Sequence, residues 1–419
     1  MTNLTQKLSK LFFGAGVRVV TLALFLVVFG VSAALAQTRG YVTNSDDDTV
    51  SVIDPATNAV VATIPAGDGP NGVAVTPNGA FAYVANTNDN TVSVISVATN
   101  TVVATVPVGS GPFAVAITPN GAFAYVTTGG DNTVSVISTA TNTVTATIPT
   151  GTIGIAIAIT PNGAFAYMTG FFPGNVTVID TATNAVAATV PIGFIPTGVA
   201  ITPNGAFAYV GGGPGFTDVF VISTATNSVV ATVTVGSQPS EVAITPNGAF
   251  AYVGNELDDT VSVIDTATNT VVATVPVGLR PTGVTITPNG AFAYVANSAA
   301  NTISVISTAT NTVVATIPVG LDPQRIAFGV NDPLQSLIAQ IQTLVAAGTL
   351  TQNQGDGLID KINQVIAKLD QDQTGAACNQ LNAFISQVNA FISSHALTPS
   401  QGQTLIDGAN GIKANIGCP

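Results

Sequence analysis

The chain has 419 residues, of which only 7% carry a charge; nine are Lys or Arg and 21 are Asp or Glu, a formal net charge of −12 at pH 7. A surface of that sign repels phosphate and lacks the Lys/Arg clusters that counterion release needs, which excludes nucleic acid as a partner. Solubility must rest on Thr, Ser, Asn and Gly, a composition that suits a secreted β-rich protein.

Met1 to Ala36 read as a secretory signal: Lys7, Lys10 and Arg18 precede or enter an apolar stretch from Val19 to Val31, and Ala34-Leu35-Ala36 offers a small-residue cleavage site. The competing reading is an uncleaved anchor, but the apolar run is shorter than the roughly 20 residues a spanning helix needs. No later stretch resembles a transmembrane segment. Cleavage leaves six basic residues against 21 acidic ones.

From residue 37 to 330 the chain repeats itself. TPNGAFAY occurs six times, and the tyrosines at 41, 83, 125, 167, 209, 252 and 294 are spaced by 42 residues with a single step of 43. Repeats of about 40 to 45 residues that carry four short strands are propeller blades. In the copy from Gly198 to Gly236, an inner strand "GVAIT" is followed by "AFAYV", "DVFVIS" and "SVVATVTVG", each β-rich and bounded by turn residues. In T-P-N-G, Pro presets φ and Gly accepts the left-handed conformation; in D/S-x-A-T-N, an Asp such as Asp54 or Asp180, or a Ser such as Ser96, bonds its own backbone while Asn tolerates positive φ. Phe81 and Tyr83 share one face of the second strand and Ala80, Ala82 and Val84 the other, large against small.

Second strands begin near residues 41, 80, 122, 164, 206, 249 and 291, and inner strands near 73, 115, 157, 199, 242, 284 and 326. Both series count seven, but they are displaced, so the first blade should combine the N-terminal strands with a lone inner strand from Arg325 to Val330. Such closure removes an open sheet edge. The segments "YVTN", "TVSVIDPATNAVVATIPAG" and "VAVTPNGAFAYVAN" resemble the YVTN-type β-propeller repeats of microbial surface-layer and other extracytoplasmic proteins. The resemblance implies an all-β seven-bladed propeller and says little about activity, because such propellers host unrelated functions.

Residues 331 to 419 change period from two to about 3.6. Leu334, Leu337, Ile338, Ile341, Leu344 and Val345 form one helical stripe, and Cys378, Leu381, Phe384, Ile385, Val388, Phe391 and Ile392 another. Thr351 with Gln354, and Thr398-Pro399 with Gln401, are capping signals. Residues 337 to 360 align with 384 to 407 at an offset of 47 without a gap, so the segment is a duplicated helical hairpin and should form a four-helix α domain. Through "NQLNAFISQVNAFI" and its flanking cysteines it resembles the FIMAH-type helical domain. Cys378 and Cys418 are the only cysteines. An antiparallel hairpin brings them together, which in an exported protein favours a disulfide worth on the order of 4 kcal/mol; the alternative, a metal or catalytic thiol, has no neighbouring ligands. His395 aligns with Gly348 at a helix C-terminus, a structural position.

Candidate sites lie where the copies disagree. The TPNGA and TATN turns occupy one end of every blade, and the variable loops occupy the other. There Phe171, Phe172, Phe194, Ile195 and Phe216 could form an apolar patch for a protein partner or a glycan ring, or could fill gaps at the rim. The residue before each inner strand is small in five copies and charged in two, Glu241 and Arg325; with Arg280 these could build a polar site at the channel mouth, or simply pair. Asp46, Asp47, Asp48, Asp89, Asp131, Asp258 and Asp259 gather in loops without a complete calcium spacing.

Residues 37 to 330 contain no His, Cys, Lys or Trp, and Glu241 and Glu256 are the only glutamates. Metal-activated hydrolysis, haem ligation and nucleophilic triads all need residue types that this segment lacks. The composition therefore favours a secreted or cell-surface monomer without metal, cofactor or catalysis, a module that binds an unidentified protein or glycan. The alternative is an extracytoplasmic propeller enzyme of lactonase-like or redox-cofactor type.

Overall fold

The computed structural model describes residues 37–193, 195–331, 333–371 and 373–418; the expected signal, residues 1–36, and Phe194 lie outside them. The described chain divides into a β unit, Thr38–Asn331, and a helical unit that begins at Asp332.

The β unit is a ring of seven four-stranded antiparallel sheets. Blade 1 pairs the inner strand Pro323–Asn331 with Gln37–Asn44, Thr49–Asp54 and Ala59–Pro65. Blades 2 to 7 follow in chain order, with inner strands Pro70–Val75, Pro112–Ile117, Gly154–Ile159, Val199–Ile201, Pro239–Ile244 and Pro281–Ile286. The displaced strand count thus has its physical cause in closure. Thr43 ties the two chain ends, with its Oγ1 receiving the Arg325 N–H at 3.1 Å.

The strands differ in why they alternate. Every third strand, such as Thr49–Asp54, is buried on both faces, so its valines and isoleucines pack against two neighbouring blades rather than against core and solvent. Outer strands such as Ala59–Pro65 are largely exposed. In all seven blades the pairing of third and outer strands slips by one residue, for example between Val52 and Ile53. Such bulges sharpen the twist of the outer half of each blade.

At the turn end, Thr202 Oγ1 bonds Asn204 Oδ1 at 2.7 Å and receives the Phe207 N–H at 3.0 Å, while Gly205 sits at φ 73°. All seven TATN asparagines have positive φ, from Asn58 at 51° to Asn311 at 53°. These asparagines also accept a bond from the preceding blade. Tyr83 Oη donates to Asn142 Oδ1 at 2.6 Å, and the pattern repeats round the ring to Tyr294 with Asn58 at 2.7 Å. Burial raises all seven tyrosine hydroxyls above their ordinary range, so they remain donors.

The shared packing expected of Phe81 and Tyr83 holds in that blade, where both are buried, but not in every copy. The tyrosines are fully buried, but Phe123, Phe165 and Phe207 are exposed to between 36% and 38%. In these three blades Phe opens its strand at the turn end, where the wedge between blades is less filled than at Phe81.

The helical unit comprises α1 (Pro333–Ala346), α2 (Gln352–Leu369), α3 (Thr374–Ser393) and α4 (Pro399–Asn415). Capping boxes close the N-termini of α2 and α4 through Thr351 with Gln354 and Thr398 with Gln401. Leu337, Ile341, Leu358, Ile362, Leu381, Phe384 and Leu405 form its core. The duplication is visible in the packing: a Cβ on Gly355 would fall 2.2 Å from Val345, and one on Gly402 would fall 2.3 Å from Ile392. Each hairpin thus needs a glycine where its helices approach. Cys378 and Cys418 form a disulfide. His395, at φ 61°, takes the left-handed position that Gly348 takes in the first hairpin. Among the described residues no helix is long and apolar enough to cross a membrane.

Candidate functional site

The loop end of the propeller is organised by carboxylates. The connections that enter blades 1, 2, 3, 6 and 7 expose backbone N–H groups, and acidic side chains from the second-to-third strand loops take them. Asp68 N–H donates to Asp89 Oδ2 at 2.8 Å and Gly69 N–H to Asp48 Oδ1 at 3.0 Å. Asp131 holds Ser110 in the same way, Asp258 holds Ser237 and Asp47 holds Leu321. Most of these bonds are exposed to solvent, so the aspartates order the connections more than they rescue buried donors. Among the described residues no cluster of three acidic, His or Cys side chains could hold a metal ion.

No carboxylate clamps the connections entering blades 4 and 5 among the described residues. Those blades carry the aromatic loops. Phe172 is 65% exposed and packs edge to face on Phe171, with ring centroids 5.0 Å apart. Ile195 and Phe216 are half-buried. They frame the Gly212-Gly213 segment, where a Cβ on Gly213 would meet the Ile195 carbonyl and one on Gly212 would meet Phe216 Cβ at 3.2 Å. Phe194 lies outside the described residues.

Glu241 and Arg325 form an ion pair. They belong to the inner strands of blades 6 and 1, which are not neighbours, and blade 7 offers Gly283 between them. A Cβ on Gly283 would stand 2.3 Å from the Gln324 carbonyl and 3.1 Å from Arg325 Cα, the same crowding by the next inner strand that Gly72 and Gly198 meet. Both side chains are largely buried, at 16% and 18% exposure. Burial pulls the Arg325 guanidinium down to about 10, which leaves it protonated at neutral pH.

Arg280 does not join this pair, which corrects the expected three-residue site. Its N–H is held by Asp259 Oδ1 at 2.8 Å, and φ 54° turns the residue back toward blade 6. Its guanidinium bonds Glu256 Oε1 at 2.5 Å and 3.2 Å, and Gln238 donates to the other oxygen of the same carboxylate. Those bonds raise the Arg280 guanidinium further above its ordinary value. Glu256 was passed over as a site residue. Its signal was rarity, since it is one of only two glutamates.

Comparison with known proteins adds the following. Residues 204–316 match the family model described as lactonase, 7-bladed beta-propeller; residues 17–128 match the YNCE-like beta-propeller; residues 334–414 match the FIMAH domain. A 37-residue stretch is 62% identical to the PE-PGRS family protein PE_PGRS18 of Mycobacterium tuberculosis, covering 9% of this chain and 8% of that protein's length. Among solved structures, hydrazine synthase of Kuenenia stuttgartiensis is 26% identical with a TM-score of 0.61, over 64% of this chain and 92% of that one. A Bacteroides fragilis protein assigned as a 6-phosphogluconolactonase has a TM-score of 0.61 at 18% identity, over 70% of this chain and 98% of that one, a likeness of fold.

The expectation of a non-catalytic propeller is corrected by these matches, which point to enzyme-like propellers. A strained cyclic ester is electrophilic enough to need only a carboxylate base and a fixed donor for the oxyanion, neither of which requires His, Cys or a metal. The chain is a seven-bladed β-propeller, parts of which match the lactonase and YNCE-like propeller models, followed by a segment that matches the FIMAH domain.

Proposed function

We propose that this chain is an extracytoplasmic lactonase-like hydrolase acting at the Glu241–Arg325 pair. The observation that carries the reading is that pair itself: two opposite charges, largely buried, bridging non-adjacent blades over a bare Gly283. The lactonase match supports it because residues 204–316 include Glu241. The absence of His and Cys from residues 37–330 favours hydrolysis over the redox form of a propeller enzyme.

The chemistry follows from the two groups. The Arg325 guanidinium, fixed and charged, receives the lactone carbonyl oxygen and stabilises the negative charge that develops on it. Glu241 takes a proton from the attacking water as oxygen bonds to the carbonyl carbon. The ring C–O bond then breaks, and the proton passes to the departing alkoxide, giving the open hydroxy acid. Burial strengthens both interactions by excluding competing solvent.

Export through residues 1–36 belongs to the same reading, as does an envelope setting for its protein or glycan partners. The Cys378–Cys418 disulfide supports it, because such bonds persist in oxidising compartments.

The test is lactone hydrolysis by the purified mature protein, followed by acid release against a panel of aldonolactones with spontaneous opening subtracted. Glu241→Gln should lower turnover by about 100-fold or more, and Arg325→Met similarly. Rates equal to buffer for the folded wild-type protein would sink the proposal.

A further inference from the structure

The turn end of the propeller holds a second kind of concavity that the catalytic reading does not use. A cleft of about 250 Å³ lies between blades 5 and 6, lined by Pro203, Asn204, Phe207 and Tyr209 on one side and by Asn247 and Thr266 on the other. Its apolar wall is Phe207, 38% exposed, beside Pro203. Its polar wall is made of neutral amide and hydroxyl groups. Asn204 and Asn247 use their Oδ1 atoms on the turn, at Thr202, Ala206, Thr245 and Ala249. Among the described residues their side-chain N–H groups have no hydrogen-bond partner.

The cleft is built from repeat residues, so its chemistry recurs. Where Pro203 meets Gly248 between blades 5 and 6, Pro77 meets Gly121, Pro119 meets Gly163, Pro161 meets Gly205 and Pro246 meets Gly290 at the corresponding boundaries. Phe123 and Phe165 are exposed there as Phe207 is.

We infer that the blade-boundary clefts at the turn end bind neutral pyranose rings. An exposed Phe face beside amide donors offers a flat apolar surface for the C–H face of a sugar together with hydrogen-bond donors for its hydroxyls. The volume suits a single ring rather than a larger ligand. No Lys or Arg lines the cleft, and Asp265, at the start of the adjacent turn, disfavours anionic sugars. Repetition around the ring makes binding to polymers stronger than binding to single sugars, because each further contact is intramolecular. The clefts would hold the protein on polysaccharide while the loop end stays free.

The experiment is binding of the full mature chain to soluble polymers bearing glucose, galactose, mannose or N-acetylglucosamine, read by biolayer interferometry. At least one polymer should bind about tenfold or more tightly than its methyl glycoside. The Phe123→Ser/Phe165→Ser/Phe207→Ser variant should weaken polymer binding about tenfold or more, whereas Glu241→Gln should bind as wild type does, which separates this inference from the hydrolase reading. If the triple variant does not fold, Phe207→Ser alone should lower the number of methyl glycoside molecules bound per chain in a monovalent titration. Failure of every polymer to bind, or unchanged binding in a folded Phe variant, overturns the inference.

Discussion

The two ends of the propeller satisfy their backbone by different means. At the turn end each blade uses its own Thr and Asn, and the long reach is the Tyr hydroxyl to the next blade's Asn, repeated seven times. At the loop end, carboxylates from neighbouring loops hold the incoming connections, and among the described residues the pattern lapses at blades 4 and 5. Local satisfaction allows one short motif to be copied without change. Long-range satisfaction lets each loop differ, and the rare charges Glu241, Glu256, Arg280 and Arg325 all stand on that end.

The comparison breaks first at closure, which both ends share. Deleting Pro323–Asn331 strips blade 1 of its inner strand and exposes the edge of Gln37–Asn44. The deleted chain should elute as aggregate and lose a single cooperative melting transition; a monodisperse, cooperatively melting product would contradict ring closure as the source of stability.

A smaller effect separates the links of the turn-end ring. Tyr83→Phe removes the 2.6 Å bond to Asn142 and leaves an acceptor unmatched, so denaturant titration should show a loss of about 1 kcal/mol. Tyr41→Phe should cost less, since its bond to Asn100 is 3.5 Å long. Equal losses would show that the hydroxyls contribute through packing rather than through the bond.

The smallest effect sharpens the loop end. Burial, and then the charge of Asp46, raise the Asp322 carboxyl above its ordinary 3.8. The folded state therefore disfavours the ionised form, and the carboxylate costs stability at neutral pH. That cost fades as pH falls through the raised value and is gone below 3.8, where both states are protonated. Asp322→Asn should melt slightly higher than wild type at pH 7 and with it at about pH 3. A lower melting point at pH 7 would mean that the carboxylate makes a favourable contact that outweighs its burial.

Much of the fold was legible because the repeat carries its own turn chemistry. TPNG and TATN imply positive φ at Gly205 and at Asn227, and both have it. The displaced strand counts implied the two-ended blade. The offset of 47 implied the paired hairpins, while the close approaches at Gly355 and Gly402 appeared only in the packing. The candidate site was legible only in part. Glu241 and Arg325 stood out by breaking a small-residue series, and they do meet. Arg280 was grouped with them by charge alone, while its partner Glu256 lies 24 residues earlier in a loop with no repeated signature. The exposure of Phe207 was also hidden, because alternation tells which side of a strand a residue takes and not whether that side is still covered at the strand's end.

The sequence by itself determined the blade, its count and its closure, because period, turn residues and strand alternation are local properties that seven copies report alike. Only the tertiary structure decided which charges pair across the ring, where the Tyr hydroxyls donate and where the wedge between blades opens into a cleft. Those outcomes depend on distances between residues far apart in the chain, and such distances exist only once the ring has closed.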